Sequence, residues 1–177
     1  MIIKNATQVG NPVIRKKAPR VTDFKSKETK KTVRDLIDSM REHTLVGMAA
    51  PQIGVSSRIF VTEIRETKLR KQHSKNDVDD LRVFINPKVI SVSEKTVKDW
   101  EGCGSVARAS LFGKVERPKE ITVEAFNAKG EKFTLAAKGL LARVIQHEID
   151  HINGIVFTDT ADRKTFMSRD EYLAKTK

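Results

Sequence analysis

The chain has 177 residues, of which 38% are hydrophobic and 32% charged, with a formal net charge of +11. That length suits one domain, 1–177, with a buried core. No apolar run approaches a membrane span of roughly 20 residues, and Met1-Ile2-Ile3-Lys4-Asn5 lacks the long apolar core of a secretory signal. A cytoplasmic location and a monomer are therefore the default expectations. Cys103 is the single cysteine, so no intramolecular disulfide can form, in keeping with a reducing compartment. The basic residues are dispersed and carry no recognisable RNA-binding motif, which disfavours a dedicated nucleic-acid domain. Association with a ribosome through the basic surface would use the same charge.

Residues 8–21 hold two of the five prolines and read as an extended, turn-rich lead-in. Helical spacing follows over 26–43, with Val33, Leu36, Ile37 and Met40 on one side. Asp35, Asp38 and Arg41 fall off that stripe and are expected to solvate the outer face. Leu45-Val46-Gly47-Met48-Ala49-Ala50-Pro51-Gln52 is a run of small residues in which Pro51 forbids helix at Ala50. Small side chains there would let another backbone approach closely, as a substrate strand would; an ordinary tight loop is the plainer alternative. A strand is expected at 58–64, a charged surface loop at 65–81, and strand material at 81–92 broken by Asn86-Pro87. Glycines flank Cys103 and leave its thiol accessible. Residues 120–126 and 131–136 form a hairpin about Asn127-Ala128-Lys129-Gly130. A helix begins near Gly139 and ends at Asn153-Gly154, and 165–173 is expected to form a short last helix.

The most informative stretch lies on the 139–152 helix. Gln146-His147-Glu148-Ile149-Asp150-His151 contains H-E-x-x-H. Residues i and i+4 share a helix face, with Cβ atoms roughly 5–6 Å apart, so two imidazoles can hold one metal and the Glu can reach water bound to it. A solvated face would also show two His and a Glu. However, Leu140, Leu141, Val144, Ile145 and Ile152 border the motif, and buried His and Glu need partners. Taken alone, the motif fits a metalloprotease as readily as other metal hydrolases. Cys103 is a candidate nucleophile or third ligand, or else a small buried hydrophobe. His43 and His73 read as exposed histidines.

Three segments together, 45–52, Glu101-Gly102-Cys103-Gly104-Ser105 and 146–151, resemble the signature motifs of peptide deformylases in the same order. Gly10-Asn11-Pro12-Val13-Ile14-Arg15 and His151-Ile152-Asn153-Gly154-Ile155-Val156-Phe157 also look like family segments. The resemblance covers most of the chain except the 65–81 loop and the tail. It implies an α+β fold with antiparallel β-sheets packed around the central HExxH helix. It also implies hydrolysis of the formyl group from N-formylmethionyl nascent peptides. Cys103, His147 and His151 would then be metal ligands, Glu148 the base, and the Gln52 amide and Gly104 N–H oxyanion donors. Fe²⁺ would be the native metal, with Zn²⁺ or Ni²⁺ able to substitute. Leu45, Val46, Gly47 and Gly102 would line the substrate strand, and Ile145 and His147 would wall an apolar pocket, with plain core the equal alternative for Ile145. Glu101 and Arg117 either form a structural ion pair or are unrelated surface charges.

The chain departs from the family pattern at Leu45, where Gly is usual, and at Gly104, where a larger residue is usual. Residues 107–113 also differ from the common continuation. These changes leave every proposed ligand and Glu148 in place. They keep open a related metal amidohydrolase with altered acyl or peptide specificity, or a weakly active deformylase-like protein. A non-catalytic, ribosome-associated protein with a structural metal is a further alternative, against which stands the usual closure of such sites by four protein ligands.

Overall fold

A computed structural model describes residues 3–66 and 78–175 of the chain. Most of the expected 65–81 loop, and His73 with it, lies outside the described residues. The first helix, α1 (Pro12–Arg15), is a single turn where an extended lead-in was expected. Asn11 caps it by accepting from the Val13 N–H at 3.1 Å, and Pro12 fits the first turn because its missing N–H would have no partner there. The turn buries Ile14 completely.

Helix α2 (Lys27–Glu42) starts at Ser26, whose hydroxyl accepts from the Thr29 N–H at 3.0 Å. Its inner face is wider than the expected stripe, because Asp35 is also buried and pairs with Lys31. Arg41, expected to be merely solvated, donates twice to Glu63 at 2.7 and 2.9 Å. Leu36 and Met40 pack against β1 (Gly47–Ala49) and β2 (Ile59–Ile64), with Met48, Ile59 and Val61.

Strand β3 (Asp79–Val92) runs through Asn86-Pro87 without a break. Asn86 takes φ 53°, and the register with the next strand shifts between Ile85 and Lys88, the signature of a bulge. The Asn86 amide donates to Val21 O and accepts from Val21 N, each at 2.8 Å. Proline is tolerated at a bulge because no ladder bond needs its N–H. The break expected from sequence is therefore a bend that buttresses the N-terminal segment.

The expected hairpin forms as β6 (Glu120–Phe126) and β7 (Lys132–Lys138). With β1 to β3 it completes a five-stranded antiparallel sheet in the order β1-β2-β3-β6-β7. A smaller sheet has the order β4-β5-β8, formed by β4 (Thr96–Gly102), β5 (Leu111–Pro118) and β8 (Asp162–Ser168). The expected 165–173 helix is thus divided: 165–168 extend along β5, and only Arg169–Lys175 form a helix, α4. Phe166 packs directly over Gly113, and Tyr172 stacks on Phe112 with ring centroids 4.3 Å apart. These aromatic contacts across the sheet outweigh any local helical preference of the tail.

Helix α3 (Gly139–Ile152) lies between the two sheets and packs on β1, β2 and β7 from one and β5 from the other. This is the α+β arrangement expected, with the HExxH helix central. Ile145 and Ile152 are fully buried with Phe60, Phe84 and Val123. Ile145, expected to wall a substrate pocket, therefore occupies a core position on the side of α3 that packs against the larger sheet.

Candidate metal centre and catalytic site

Three segments converge on the His face of α3. β1 is the edge strand of the larger sheet and leads into a 3-10 turn, Ala50–Ile53, that carries Gln52. β4 is the edge strand of the smaller sheet and ends just before Cys103. The ligand atoms of Cys103, His147 and His151 lie within 4.8 Å of one another. Cys103 Sγ is 3.2 Å from His151 Nε2. One thiolate and two imidazoles suit a transition metal with a position left open for water.

The two histidines are held differently. His147 Nδ1 donates to Glu101 Oε2 at 2.9 Å, so in the neutral imidazole that a metal would bind the lone pair lies on Nε2. His151 is fully buried and its Nδ1 has no hydrogen-bond partner among the described residues. Glu101 is in turn gripped by Arg117, whose Nε and Nη2 donate at 2.6 and 2.9 Å. Arg117 also donates to Asp150 at 2.9 Å. The ion-pair reading of Glu101 and Arg117 is the one realised, and the pair is buried rather than exposed.

Arg143 completes this cluster, and the motifs gave no notice of it. Its Nη1 donates to Glu101 Oε1 at 2.7 Å and to Val115 O at 3.0 Å, while Nη2 donates to Val97 O at 2.6 Å. It stands one turn before His147 on the same face, so the spacing 143, 147, 151 carried the signal. Gln8 belongs to the site as well, and no motif marks it. Its amide donates to Gly104 O at 2.8 Å and accepts from Arg108 N at 3.0 Å. Beside it, Thr7 N donates to Gln52 O and Val9 N to Ser105 O. The N-terminal segment thereby fastens the Gln52 turn to the Cys103 turn.

The side chain of Gln52 has a fixed orientation. Its Oε1 accepts from Ala49 N at 2.8 Å, so Nε2 faces Cys103 Sγ, 3.6 Å away. Gly47 permits the approach of Glu148: a Cβ at position 47 would lie 2.5 Å from Glu148 Oε1 and 2.7 Å from Val144 Cγ1. Glu148 Oε2 is buried without a hydrogen-bond partner among the described residues. Leu45 has an ordinary φ, because the left-handed conformation falls on Thr44 at φ 55°. Its N–H is bound to Met40 O, and Val46 O accepts from Glu63 N. Gly102 lies against the Phe112 ring, and a Cβ there would meet Cε1 at 2.8 Å. His43, half-buried, contacts Lys4 O and plays no part here.

The electrostatics follow from burial and these partners. Burial pushes the Glu148 carboxyl up to about 7, reinforced by Cys103 and Glu101 and opposed by both imidazoles. Burial would also raise the Cys103 thiol, but His151 and His147 outweigh it and hold the thiol well below its ordinary value. Burial alone would lower His147; its bonds to Cys103 and Glu101 instead raise it well above the usual imidazole range. The site thus favours a thiolate and sets a carboxyl near neutrality beside it, as base catalysis needs.

The family model for polypeptide deformylase matches residues 3–167. The chain belongs to the polypeptide deformylase family. A peptide deformylase from Natranaerobius thermophilus is 37% identical over 162 residues, covering 92% of this chain and 94% of its own. One from Ralstonia nicotianae is 38% identical, with 90% and 86% covered. Among solved structures, the Thermotoga maritima peptide deformylase matches with TM-score 0.78 and 33% identity, covering 92% of this chain and all but 1% of that one. The Met-Ala-Ser-bound enzyme from Acinetobacter baumannii gives TM-score 0.82 at 27% identity, over 90% and 99% of the two chains. Peptide deformylases are metal-dependent, and the Cys103, His147 and His151 donors of this chain supply a metal-binding group.

Proposed function

We infer that this chain, acting as one catalytic domain, is a metal-dependent hydrolase that removes the N-terminal formyl group from formyl-methionyl nascent peptides and releases formate. The observation that carries this reading is one constellation. Three donors lie within 4.8 Å, with the Gln52 amide on one side and the buried, unpartnered Glu148 oxygen on the same helix. Membership of the deformylase family supplies the substrate class.

Cys103, His147 and His151 would hold the metal, for which we propose Fe²⁺, with Zn²⁺ or Ni²⁺ as substitutes. When bound, the metal lowers the pKa of water and polarises the formyl carbonyl. Glu148, ionisable near neutral pH, takes the proton of the attacking water and passes it to the departing amine. Gln52 Nε2 and the Gly104 N–H donate to the oxyanion that develops at the formyl oxygen. The peptide lies as an added strand between the free edges of β1 and β4, against Leu45, Val46, Gly47 and Gly102. The partner is the nascent peptide, met in the cytoplasm, with ribosome contact through the net charge of +11.

The test is anaerobic purification with Fe²⁺ followed by a formate assay on formyl-Met-Ala-Ser. Formate release is expected. A fully metallated protein that released none would overturn the reading and leave the related amidohydrolase, which the altered groove at Leu45 and Gly104 favours.

A further inference from the structure

The two departures from the family pattern, at positions 45 and 104, are neighbours in space. A Cβ built on Gly104 would meet Leu45 Cδ1 at 3.3 Å and Ala6 Cβ at 3.5 Å. The first distance is tighter than ordinary packing, so the leucine occupies the room that a side chain at 104 would need. The backbone does not force this exchange. Gly104 has no left-handed φ, and neither does Leu45. The missing side chain at 104 is therefore a matter of volume, not of conformation.

The leucine is held from behind. Its N–H is bound to Met40 O at 2.9 Å, and it packs on the cluster of Leu36, Met40 and Met48. Gly104 is held from the other side, its carbonyl bound by Gln8 Nε2 at 2.8 Å. The contact therefore spans the two walls that meet at the site: the segment entering β1 and the turn leaving β4. From the β1 side, Leu45 thus places an apolar side chain beside Gly104, next to Cys103 in sequence.

We propose that Leu45 and Gly104 form one specificity-determining unit, a large–small pair that sets the width and shape of the peptide groove next to the metal ligands. The proposal rests on the deformylase reading. It assigns to the pair the choice among formyl-methionyl peptides with small or bulky second residues. Truncating the leucine opens the groove, adding a side chain at 104 without that truncation obstructs it, and exchanging the two restores a wall from the opposite side.

The experiment is a double-mutant cycle with wild type, Leu45→Gly, Gly104→Leu and the exchanged double variant, all loaded with the same metal. Formate release is measured on formyl-Met dipeptides whose second residue is Ala or Phe, and thermal melting is recorded for each protein. Leu45→Gly is expected to shift the Phe/Ala ratio of kcat/KM by about 10-fold, the lower end for one small apolar group in a pocket. Gly104→Leu is expected to lose most activity on both peptides and to melt lower. The double variant should recover the melting temperature, and its ratio should return to within about 3-fold of wild type. Single effects that simply multiply in the double variant would overturn the proposal, as would melting temperatures that couple while the Phe/Ala ratio does not. If Gly104→Leu fails to fold, the double variant's melting and ratio still decide. If wild type releases no formate, the deformylase reading fails, and coupling in the melting data then shows the packing pair alone.

Discussion

At the scale of single residues, the chemistry depends on where two carboxylates sit. Glu148 is buried against Gly47, one of its oxygens has no partner among the described residues, and burial pushes its carboxyl up to about 7. Glu101 is buried too, yet it is surrounded by donors. Burial would raise it, but bonds from Arg117 and His147 hold it far below the usual carboxylate range. Among the described residues the proposed base keeps an oxygen uncommitted, whereas Glu101 is committed to Arg117, Arg143 and His147. Glu148→Gln is therefore expected to lower kcat by roughly 10²–10⁴-fold, the usual contribution of a positioned base. Metal content, measured by inductively coupled plasma analysis, should stay at one per chain. Cys103→Ala should behave differently and lose the metal on dialysis, because the thiolate is one of the three proposed ligands grouped among the described residues.

At the scale of elements, α3 organises the site through a stripe at 143, 147 and 151. Arg143 ties this helix to the carbonyls of Val97 on β4 and Val115 on β5, and to Glu101. Removing one partner from a buried charge cluster costs about 3–5 kcal/mol. Arg143→Met is thus expected to lower the melting temperature by roughly 10 °C in a chain of this size. It should also weaken metal retention, by no more than the roughly 10–100-fold that loss of a ligand's own partner costs, because Arg143 acts on His147 only through Glu101. Differential scanning calorimetry and competition with a chelator measure the two effects. Arg143→Lys should recover only part of either, because an ammonium cannot reproduce the forked donation.

The elements also show where sequence periodicity failed. Asn86-Pro87 has the look of a strand break, yet the bulge absorbs it because Asn86 tolerates a positive φ and pairs with Val21. Residues 165–168 extend because β5 offers an edge and Thr165 Oγ1 accepts from Lys114 N at 2.8 Å. Asp35 is buried because Lys31, one turn away, neutralises it. Each error arises from a partner far along the chain or from a local pair that hydrophobicity alone does not register.

For the whole molecule, the smaller sheet is joined to α3 by a cluster of charges around Glu101, and this predicts how stability depends on pH. Glu101 has a folded-state pKa below its unfolded value. Its ionisation stabilises the native state fully above the ordinary carboxylate value of about 4.5. That contribution falls as pH drops below this value toward the depressed one. Melting temperature is therefore expected to decline progressively on acidification below about pH 4.5. Glu101→Gln should show a shallower decline from a lower starting point, measured by circular dichroism at fixed metal content. An equal slope in both proteins would assign acid sensitivity to other groups.

The sequence by itself named the family and the candidate donors. One cysteine, H-E-x-x-H and a glutamine after a small-residue turn name the donors, and their types restrict what they can bind. Periodicity also located α2, α3 and the β6–β7 hairpin, because each buries a regular face. Only the tertiary structure decided the setting of those donors: Glu101 bound by two arginines, Gln8 fastening two turns, Ile145 in the core, and Leu45 filling the room beside Gly104. These facts concern contacts between residues 16 to 96 positions apart: 101 with 117, 101 with 143, 45 with 104 and 8 with 104. A linear pattern records which groups are present, whereas burial and pairing depend on which segments the fold brings into contact.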